Sequence, residues 1–154
     1  MKKTALLILL FSIFNQSFAQ LKMQTFEQIE SLQNIQQRKI IVFIHTDWCK
    51  FCQAMKSKTF KNEEVIQQLN DTFYFVDFNA EEDRAISFNK QQFRFKPSGN
   101  NSGIHELTIQ LGTINNKVNY PVLCVLNERY EIVFQHSGFL SAKDFKLLLD
   151  KIDN

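Results

Sequence analysis

Apolar residues recur along the chain in two spacings, one typical of amphipathic helices and the other of buried strands. A helical spacing begins behind Thr25, which forms the pattern of a capping box with Gln28. The apolar positions of this first helix are Phe26, Ile29, Leu32 and Ile35. The nearly continuous apolar run that follows, residues 40–45, predicts the first buried strand.

A further helix and a second strand are predicted beyond this strand. Asn62 is a typical N-cap residue, and Glu63 and Glu64 suit the first turn of the short helix behind it. Residues 72–78 are almost entirely aromatic or β-branched, which predicts a strand. A strand, helix, strand succession of this length favours a parallel pair of strands joined by a right-handed crossover.

The middle of the chain has the weakest pattern. We interpret the acidic residues 81–83 as a solvated turn, residues 86–95 as a small hairpin and residues 97–101 as a loop. A short helix is then expected, capped by Ser102 and ended by Gly112. The apolar positions of that helix are Ile104, Leu107 and Leu111.

The C-terminal part is clearer. Pro121 opens an apolar strand at 122–126, and an alternating strand at 130–135 follows a turn and ends before Gly138. Ser141 begins a capping box for the last helix, which has Asp144 in place of the usual Glu. The inward positions of that helix are Phe145, Leu148, Leu149 and Ile152. The whole succession predicts one α/β domain, a mixed sheet flanked by helices.

Two cysteines stand at the junction between the first strand and the segment 53–58, which has helical character. Cys49 falls where unpaired N–H groups and the positive end of the helix dipole stabilise a thiolate, and Cys52 lies one turn inside. A Cys-x-x-Cys pair placed in this way can close and reopen a small disulfide ring, which is the chemistry of dithiol exchange.

The N-terminal residues predict a targeting segment rather than part of the fold. Lys2 and Lys3 precede a short apolar stretch at 5–14, and small residues lead up to a cleavage point after Ala19. The apolar stretch is too short to span a bilayer comfortably, although an uncleaved anchor is the alternative. We therefore expect residues 1–19 to be removed as a signal peptide and the protein to be periplasmic or secreted.

Composition and charge bound the function further. With 44% apolar residues and 16 Phe, the chain can build one packed core without disulfide staples. The chain has 18 basic residues, and loss of the two lysines with the signal peptide would leave as many basic as the 16 acidic residues. This balance gives no support for binding nucleic acid or an anionic membrane surface.

The third cysteine, Cys124, lies in the apolar run 122–126. An odd number of cysteines fits no framework of structural disulfides, so one close pair and one separate thiol favour a redox-active pair. We interpret Cys124 as a small buried core residue.

The element succession, the string from Trp48 to Cys52 and the later Tyr120-Pro121 resemble the thioredoxin superfamily. The resemblance covers residues 24–153, interrupted at 83–117 by a segment longer than the family usually carries there. Residues 43–49 and 59–65 are most similar to the exported branch, which includes the periplasmic domain of the transmembrane disulfide-reductase protein.

The resemblance implies a role for each matching residue. Cys49 would be the nucleophile that attacks a partner disulfide, and Cys52 the resolving thiol. Trp48 would shape the docking surface beside them. Pro121 would be cis and would place the backbone of Tyr120 next to the sulfurs, where it can pair with an extended substrate segment.

One residue departs from the pattern of thioredoxin itself, and two others could tune the reactivity of the cysteine pair. Thioredoxin has a buried Asp on the strand before the motif, and Phe43 occupies that position here. His45 should point to the same strand face as Phe43, where it could tune the thiols or serve as a hydrogen-bonded structural residue. Lys50 should favour the thiolate of Cys49.

Two other function classes stay open at this point. One is a metal site in which Cys49 and Cys52 are joined by two of Cys124, His45, His105 and His136, but these candidates lack the paired spacing of zinc ligands. The other is a non-catalytic module that holds a client in the thioredoxin groove. On their own, His105 is interpreted as a polar residue in the first turn of a helix and His136 as a strand surface residue.

The sequence thus predicts an exported thioredoxin-like thiol–disulfide oxidoreductase that acts on protein disulfides, as a reductase or isomerase rather than an oxidase. It implies no organic cofactor. Electrons are expected to come from another dithiol protein, with a membrane protein as one candidate. Residues 83–117 are expected to pack near the active-site end and to restrict which substrates dock.

Overall fold

A computed structural model of the chain describes residues 20–99 and 102–153. The predicted signal peptide, residues 1–19, lies outside the described residues. The first half contains helix α1 (Phe26–Ile35), strand β1 (Ile40–His45), helix α2 (Lys50–Ser57), a 3₁₀ turn (Thr59–Lys61), helix α3 (Glu63–Thr72) and strand β2 (Tyr74–Asn79). The second half contains strands β3 (Ile86–Phe88), β4 (Gln91–Phe93), β5 (Phe95–Gly99) and β6 (Ser102–His105), helix α4 (Glu106–Gly112), strands β7 (Val122–Leu126) and β8 (Ile132–Ser137), and helix α5 (Ala142–Asp153).

Four strands form the central sheet in the order β2-β1-β7-β8. Strands β1 and β2 run parallel, whereas β7 is antiparallel to both β1 and β8. The predicted mixed sheet is therefore confirmed, and so is the parallel pairing of the first two strands. No helix in the described part of the chain is both long and apolar enough to cross a bilayer.

Alternation along β1 divides the core into two layers, because successive side chains point to opposite faces of a sheet. Ile40, Val42 and Ile44 contribute to the layer covered by α1, α4 and the strands β3 and β4. Ile41 and Phe43 contribute to the layer covered by α2, α3 and α5, which also contains Cys49 and Cys52. The reactive pair is thus built into one of the two core layers.

The middle segment contains two hairpins, one more than the sequence pattern predicts. Strands β3 and β4 form the expected first hairpin, but residues 97–99 belong to β5 instead of a loop, and β5 pairs with β6. The predicted cap at Ser102 is wrong, because Ser102 and Ile104 lie in β6 and the helix begins at Glu106 behind an N-cap at His105. Strand β5 contains Pro and Gly and shows no apolar alternation, so its pairing is visible only in three dimensions.

Two strands also begin later than predicted. The helix capped by Asn62 continues through Thr72, so the second strand begins at Tyr74. Tyr130 has a positive φ of 64° and accordingly belongs to the turn, so the last strand begins at Ile132.

Candidate active site

The cysteine pair sits where β1 gives way to α2. Cys49 is the N-cap of α2, and its Sγ accepts a hydrogen bond from the backbone N–H of Cys52 at 3.1 Å. The two residues form a disulfide, with an S–S distance of 2.10 Å. Cys49 is 6% exposed and Cys52 is fully buried. The sulfur of Cys49 therefore lies at the surface end of the pair, beside free N–H groups at a helix start that stabilise negative charge.

Trp48 and Tyr120 flank the pair on one side. Their rings make an edge contact with centroids 5.9 Å apart, although Trp48 is 66% exposed. The Tyr120–Pro121 peptide bond is cis, as the resemblance implies. Burial, together with the negative charge of Glu81, raises the pKa of the Tyr120 hydroxyl to about 12, so Tyr120 is neutral at physiological pH.

Glu81 is a site residue that the sequence reasoning missed. The indole N–H of Trp48 donates a hydrogen bond of 3.0 Å to a carboxylate oxygen of Glu81. The predicted turn at 81–83 lies instead at residues 80 and 81, and it is not merely solvated, because Glu81 contacts Trp48. No local signal could have identified it, because the two residues are 33 positions apart in the chain.

Phe51 and Phe139 lie toward the other edge of the sheet, because Phe139 follows β8 whereas Glu81 follows β2. Their ring centroids are 6.5 Å apart, and both side chains are exposed. Phe139 follows Gly138, at the end of β8, and was not singled out from the sequence. Lys50, the first residue of α2, is exposed and makes no ion pair among the described residues.

A polar cluster lies behind the pair, on the same face of the sheet. His45 stacks on Phe43, as the alternation predicts, with ring centroids 5.5 Å apart. The Nε2 of His45 lies 3.0 Å from Asp77 and 2.8 Å from the Nζ of Lys56, which is itself 2.9 Å from Asp77. Burial by itself would raise the pKa of Asp77, but the neighbouring His45 and Lys56 outweigh burial and lower that pKa below 3.8.

His45 therefore has the hydrogen-bonded setting that a structural histidine requires. Its nearest charged neighbours are Asp77 and Lys56, and the buried ring of Phe43 lies in the same core layer as Cys49 and Cys52. The tuning role of His45 and Lys50 stays a prediction.

The two remaining histidines differ in their surroundings. His105 is fully buried and is the N-cap of α4, so its interpretation as a first-turn residue is wrong. Its Nδ1 accepts the N–H of Leu107 at 3.2 Å, and its Nε2 lies 3.1 Å from the carbonyl oxygen of Arg84. Burial lowers the pKa of His105, which keeps the ring neutral. His136 is half-buried on β8.

Cys124 is fully buried in the core layer opposite the reactive pair. Burial raises the pKa of its thiol to about 12, so it carries no thiolate near neutral pH. Within residues 20–99 and 102–153, no three His, Cys, Asp or Glu side chains are grouped so that they could hold a metal ion.

The sequence of the chain matches a family model for the thioredoxin-like domain over residues 26–153. The chain therefore belongs to the thioredoxin-like domain family, and the resemblance to the thioredoxin superfamily is confirmed. No curated protein matches it.

Solved structures share the fold at low sequence identity. A thioredoxin from Thermus thermophilus aligns with a TM-score of 0.60 and 16% identity, over 86% of each chain. A DsbH oxidoreductase aligns with a TM-score of 0.57 and 14% identity, over 90% of this chain and 85% of the other. A disulphide isomerase from Xylella fastidiosa Temecula1 aligns with a TM-score of 0.56 and 13% identity, over 83% and 87%. The central sheet and its flanking helices are thus those of a thioredoxin-like fold.

Proposed function

We propose that the protein is a thiol–disulfide oxidoreductase that exchanges disulfides with protein substrates through Cys49 and Cys52. The observation that carries this proposal is the position of Cys49 at the N-cap of α2, with its sulfur accepting the N–H of Cys52 at 3.1 Å. A thiolate at this position is stabilised by the helix N-terminus, and a thiolate is the form that attacks disulfides.

The reaction begins with the reduced pair. The thiolate of Cys49 attacks one sulfur of a client disulfide, and the other client sulfur leaves as a thiolate that takes a proton from water. Cys52 then loses its proton and attacks the sulfur of Cys49, which releases the second client thiol. Two electrons pass to the client, and the protein is left with the Cys49–Cys52 disulfide. A second dithiol protein, which we expect in a membrane, returns the pair to its reduced form.

The difference in burial between the two cysteines supports their separate roles as attacking and resolving thiol. Cys49 is the sulfur that reaches the surface, whereas Cys52 is fully buried and can meet only a sulfur already attached to Cys49. Trp48 and Tyr120 on one side and Phe51 and Phe139 on the other provide the surface on which a client segment rests.

We further propose that the protein works after export, as a periplasmic or secreted protein freed of residues 1–19. It would reduce or isomerise the disulfides of its clients rather than introduce new ones. These two proposals rest on the sequence of the N-terminal segment and on the similarity of residues 43–49 and 59–65 to the exported, reductive branch of the superfamily.

The test is a trapping experiment with the full chain in its exporting host. Replacement of Cys52 by Ser should leave clients covalently attached to Cys49, visible on a non-reducing gel and identifiable by mass. Replacement of Cys49 should abolish trapping and the reduction of insulin together, whereas Cys124→Ser should preserve both. If Cys52→Ser traps nothing while Cys124→Ser abolishes activity, the roles proposed for the three cysteines are wrong.

Two measurements test the direction and the export. A reduction potential of the pair near that of thioredoxin, about −270 mV, supports reductase work, whereas one near that of a strong periplasmic oxidant, about −120 mV, overturns it. Intact mass should show Gln20 as the first residue of the mature protein, and retention of Met1 in a membrane fraction would contradict cleavage.

A further inference from the structure

The exposed aromatic side chains of the described residues are concentrated around Cys49. Every exposed Phe or Trp in this part of the chain belongs to the group Trp48, Phe51 and Phe139, and Tyr120 contacts the first of them. We call these four side chains the aromatic rim. Large apolar groups left in water at one place on a surface indicate a site where another molecule docks.

The charges beside the aromatic rim differ between its two sides. On the side of Trp48, Asp47 and Glu81 are exposed, and neither makes an ion pair among the described residues. The neighbouring Glu82 is neutralised by Arg84, 3.1 Å away. Next to Phe51 in the chain, Lys50 is exposed and makes no ion pair among the described residues, and the positive end of the helix dipole of α2 lies there as well. The rim is therefore acidic on one side of the reactive sulfur and basic on the other.

We infer that the preferred partner is a protein disulfide whose attacked cysteine has a basic residue on one side and, on the other, an apolar side chain accompanied by an acidic residue. This inference rests on the proposed oxidoreductase function. The apolar side chain would cover Phe51 and Phe139, the acidic residue would meet Lys50, and the basic residue would meet Asp47 and Glu81.

Charge decides between segments that the aromatic rim alone would accept equally. An apolar side chain gains free energy by leaving water whatever its neighbours are, so the rim by itself is unselective. A segment with charges of one sign is attracted at one side of the rim and repelled at the other. A single exposed ion pair contributes little free energy, so we expect the reduction rates of favoured and disfavoured segments to differ by about 3- to 10-fold. This difference should arise mainly in the rate at which the client first associates with the protein.

The experiment uses symmetric disulfide dimers of short peptides, each with one cysteine and one leucine. Four peptides are needed: two with a basic and an acidic residue on opposite sides of the cysteine, in either order, one with two basic residues and one with two acidic residues. The rate of reduction by the dithiol form of the protein is divided by the rate with dithiothreitol, which removes differences in the peptides' own reactivity. We expect one of the two mixed-charge peptides to react about 3- to 10-fold faster than either uniform peptide, and this preference to shrink at high salt.

Reversal of the charge at Lys50 then tests whether this residue creates the charge difference between the two sides of the aromatic rim. Lys50→Glu makes both sides of the rim acidic, so the peptide with two basic residues should become the fastest. Any general effect of Lys50 on the thiolate of Cys49 changes all four rates alike and cancels in their ratios. Lys22→Glu is the matched control, because Lys22 is exposed, makes no ion pair among the described residues and lies beside Asn70 near the start of β2, at the opposite end from the site. Lys22→Glu should leave the ranking of the peptides unchanged.

The apolar part of the inference has its own test. Phe51→Ala should slow the leucine peptides but not the same peptides with glycine in place of leucine. Equal rates for all four charged peptides, or equal effects of the two lysine reversals, would overturn the inference and leave the oxidoreductase function standing. Failure of the folded, reduced protein to reduce any of the peptides would instead contradict the function itself.

Discussion

Trp48 and Glu81 connect the reactive pair to the start of the middle segment. The indole N–H of Trp48 donates to Glu81 at 3.0 Å, and the residue before Glu81, Ala80, accepts the backbone N–H of His105 at 2.8 Å. His105 in turn is the N-cap of α4. The hydrogen bond from His105 therefore fixes the turn that contacts Trp48. It also places the end of β6, and with it the second hairpin, next to the active site.

Removal of this hydrogen bond should loosen Trp48 and slow the reaction with protein clients. In Glu81→Ala we expect lower fluorescence anisotropy of Trp48, which is readable directly because the chain has one Trp. The rate of insulin reduction should fall about 2- to 5-fold, the equivalent of roughly 0.5–1 kcal/mol for one hydrogen bond at an exposed site. Asp83→Ala, an exposed acid in the same segment, is the control. Unchanged anisotropy in Glu81→Ala would show that Trp48 is held by Tyr120 alone.

The cluster of His45, Lys56 and Asp77 should contribute stability that depends on pH. The pKa of Asp77 is lower in the folded protein than its ordinary value of 3.8, so the unfolded chain takes up the proton first. The contribution is fully present above pH 3.8 and is lost as pH falls through the folded value. Asp77→Asn should therefore lower the free energy of unfolding by about 1–3 kcal/mol at pH 7, a difference that shrinks in acid.

Urea unfolding of both proteins at a series of pH values measures this difference. Asp83→Asn provides a matched acid-to-amide change at an exposed position and should have almost no effect. A difference between wild type and Asp77→Asn that stays constant into strong acid would contradict the assignment of the charge to Asp77.

The reactive pair could be located from the sequence because each of its signals is local. Only Thr46 and Asp47 separate β1 from Trp48, and the helix begins directly after Cys49. Strand, cap and helix are thus determined by neighbouring residues, and the site follows from their junction. Pro121 was recognisable locally only as the start of an apolar strand, and its cis bond and its place at the site were implied by the resemblance to the thioredoxin superfamily.

The rest of the site depends on contacts between residues far apart in the chain. Asp77 and Lys56 are 21 positions apart. In the sequence, Asp77 is only a charged residue within a strand of aromatic and β-branched residues, and nothing nearby identifies its partners. Strand β5 contains Pro97 and Gly99 and becomes a strand only through its pairing with β6. At the start of α4, both Ser102 and His105 can accept a backbone N–H, and the pairing of Ser102 within β6 leaves the role to His105.

His105 should make the middle segment sensitive to mild acid. Its pKa is lowered from 6.5 by burial, and a proton on Nδ1 would remove the acceptor for the N–H of Leu107. The unfolded chain therefore binds this proton first, and stability is lost as pH falls from about 6.5 towards the folded value. His105→Asn keeps a side chain that can cap a helix but does not titrate, so its stability should vary less between about pH 7 and pH 5.

The measurement is the unfolding free energy of wild type and His105→Asn across this range. His136→Asn is the control, since His136 is half-buried on β8 and caps no helix. Parallel pH profiles for wild type and His105→Asn would assign the titration to other groups.

The three thiols should differ in reactivity in an order set by burial and charge. In the reduced protein, Cys49 should react first with an alkylating reagent because it is the only one of the three cysteines with any exposure, 6%, and because it caps α2. Cys52, one turn inside and fully buried, should react more slowly. Cys124 should not react in the folded state at all, since it is fully buried and its pKa is raised to about 12.

Mass spectrometry of the alkylated protein counts the modified thiols as a function of time. The oxidised, folded protein should take up no label, and the same protein unfolded in urea should take up one, on Cys124. Partial labelling of Cys124 in the folded, oxidised protein would show that the core layer opposite the pair opens without global unfolding. Labelling of Cys52 ahead of Cys49 in the reduced protein would reverse the roles of attacking and resolving thiol, because the residue that meets reagent first is also the one that meets a client disulfide.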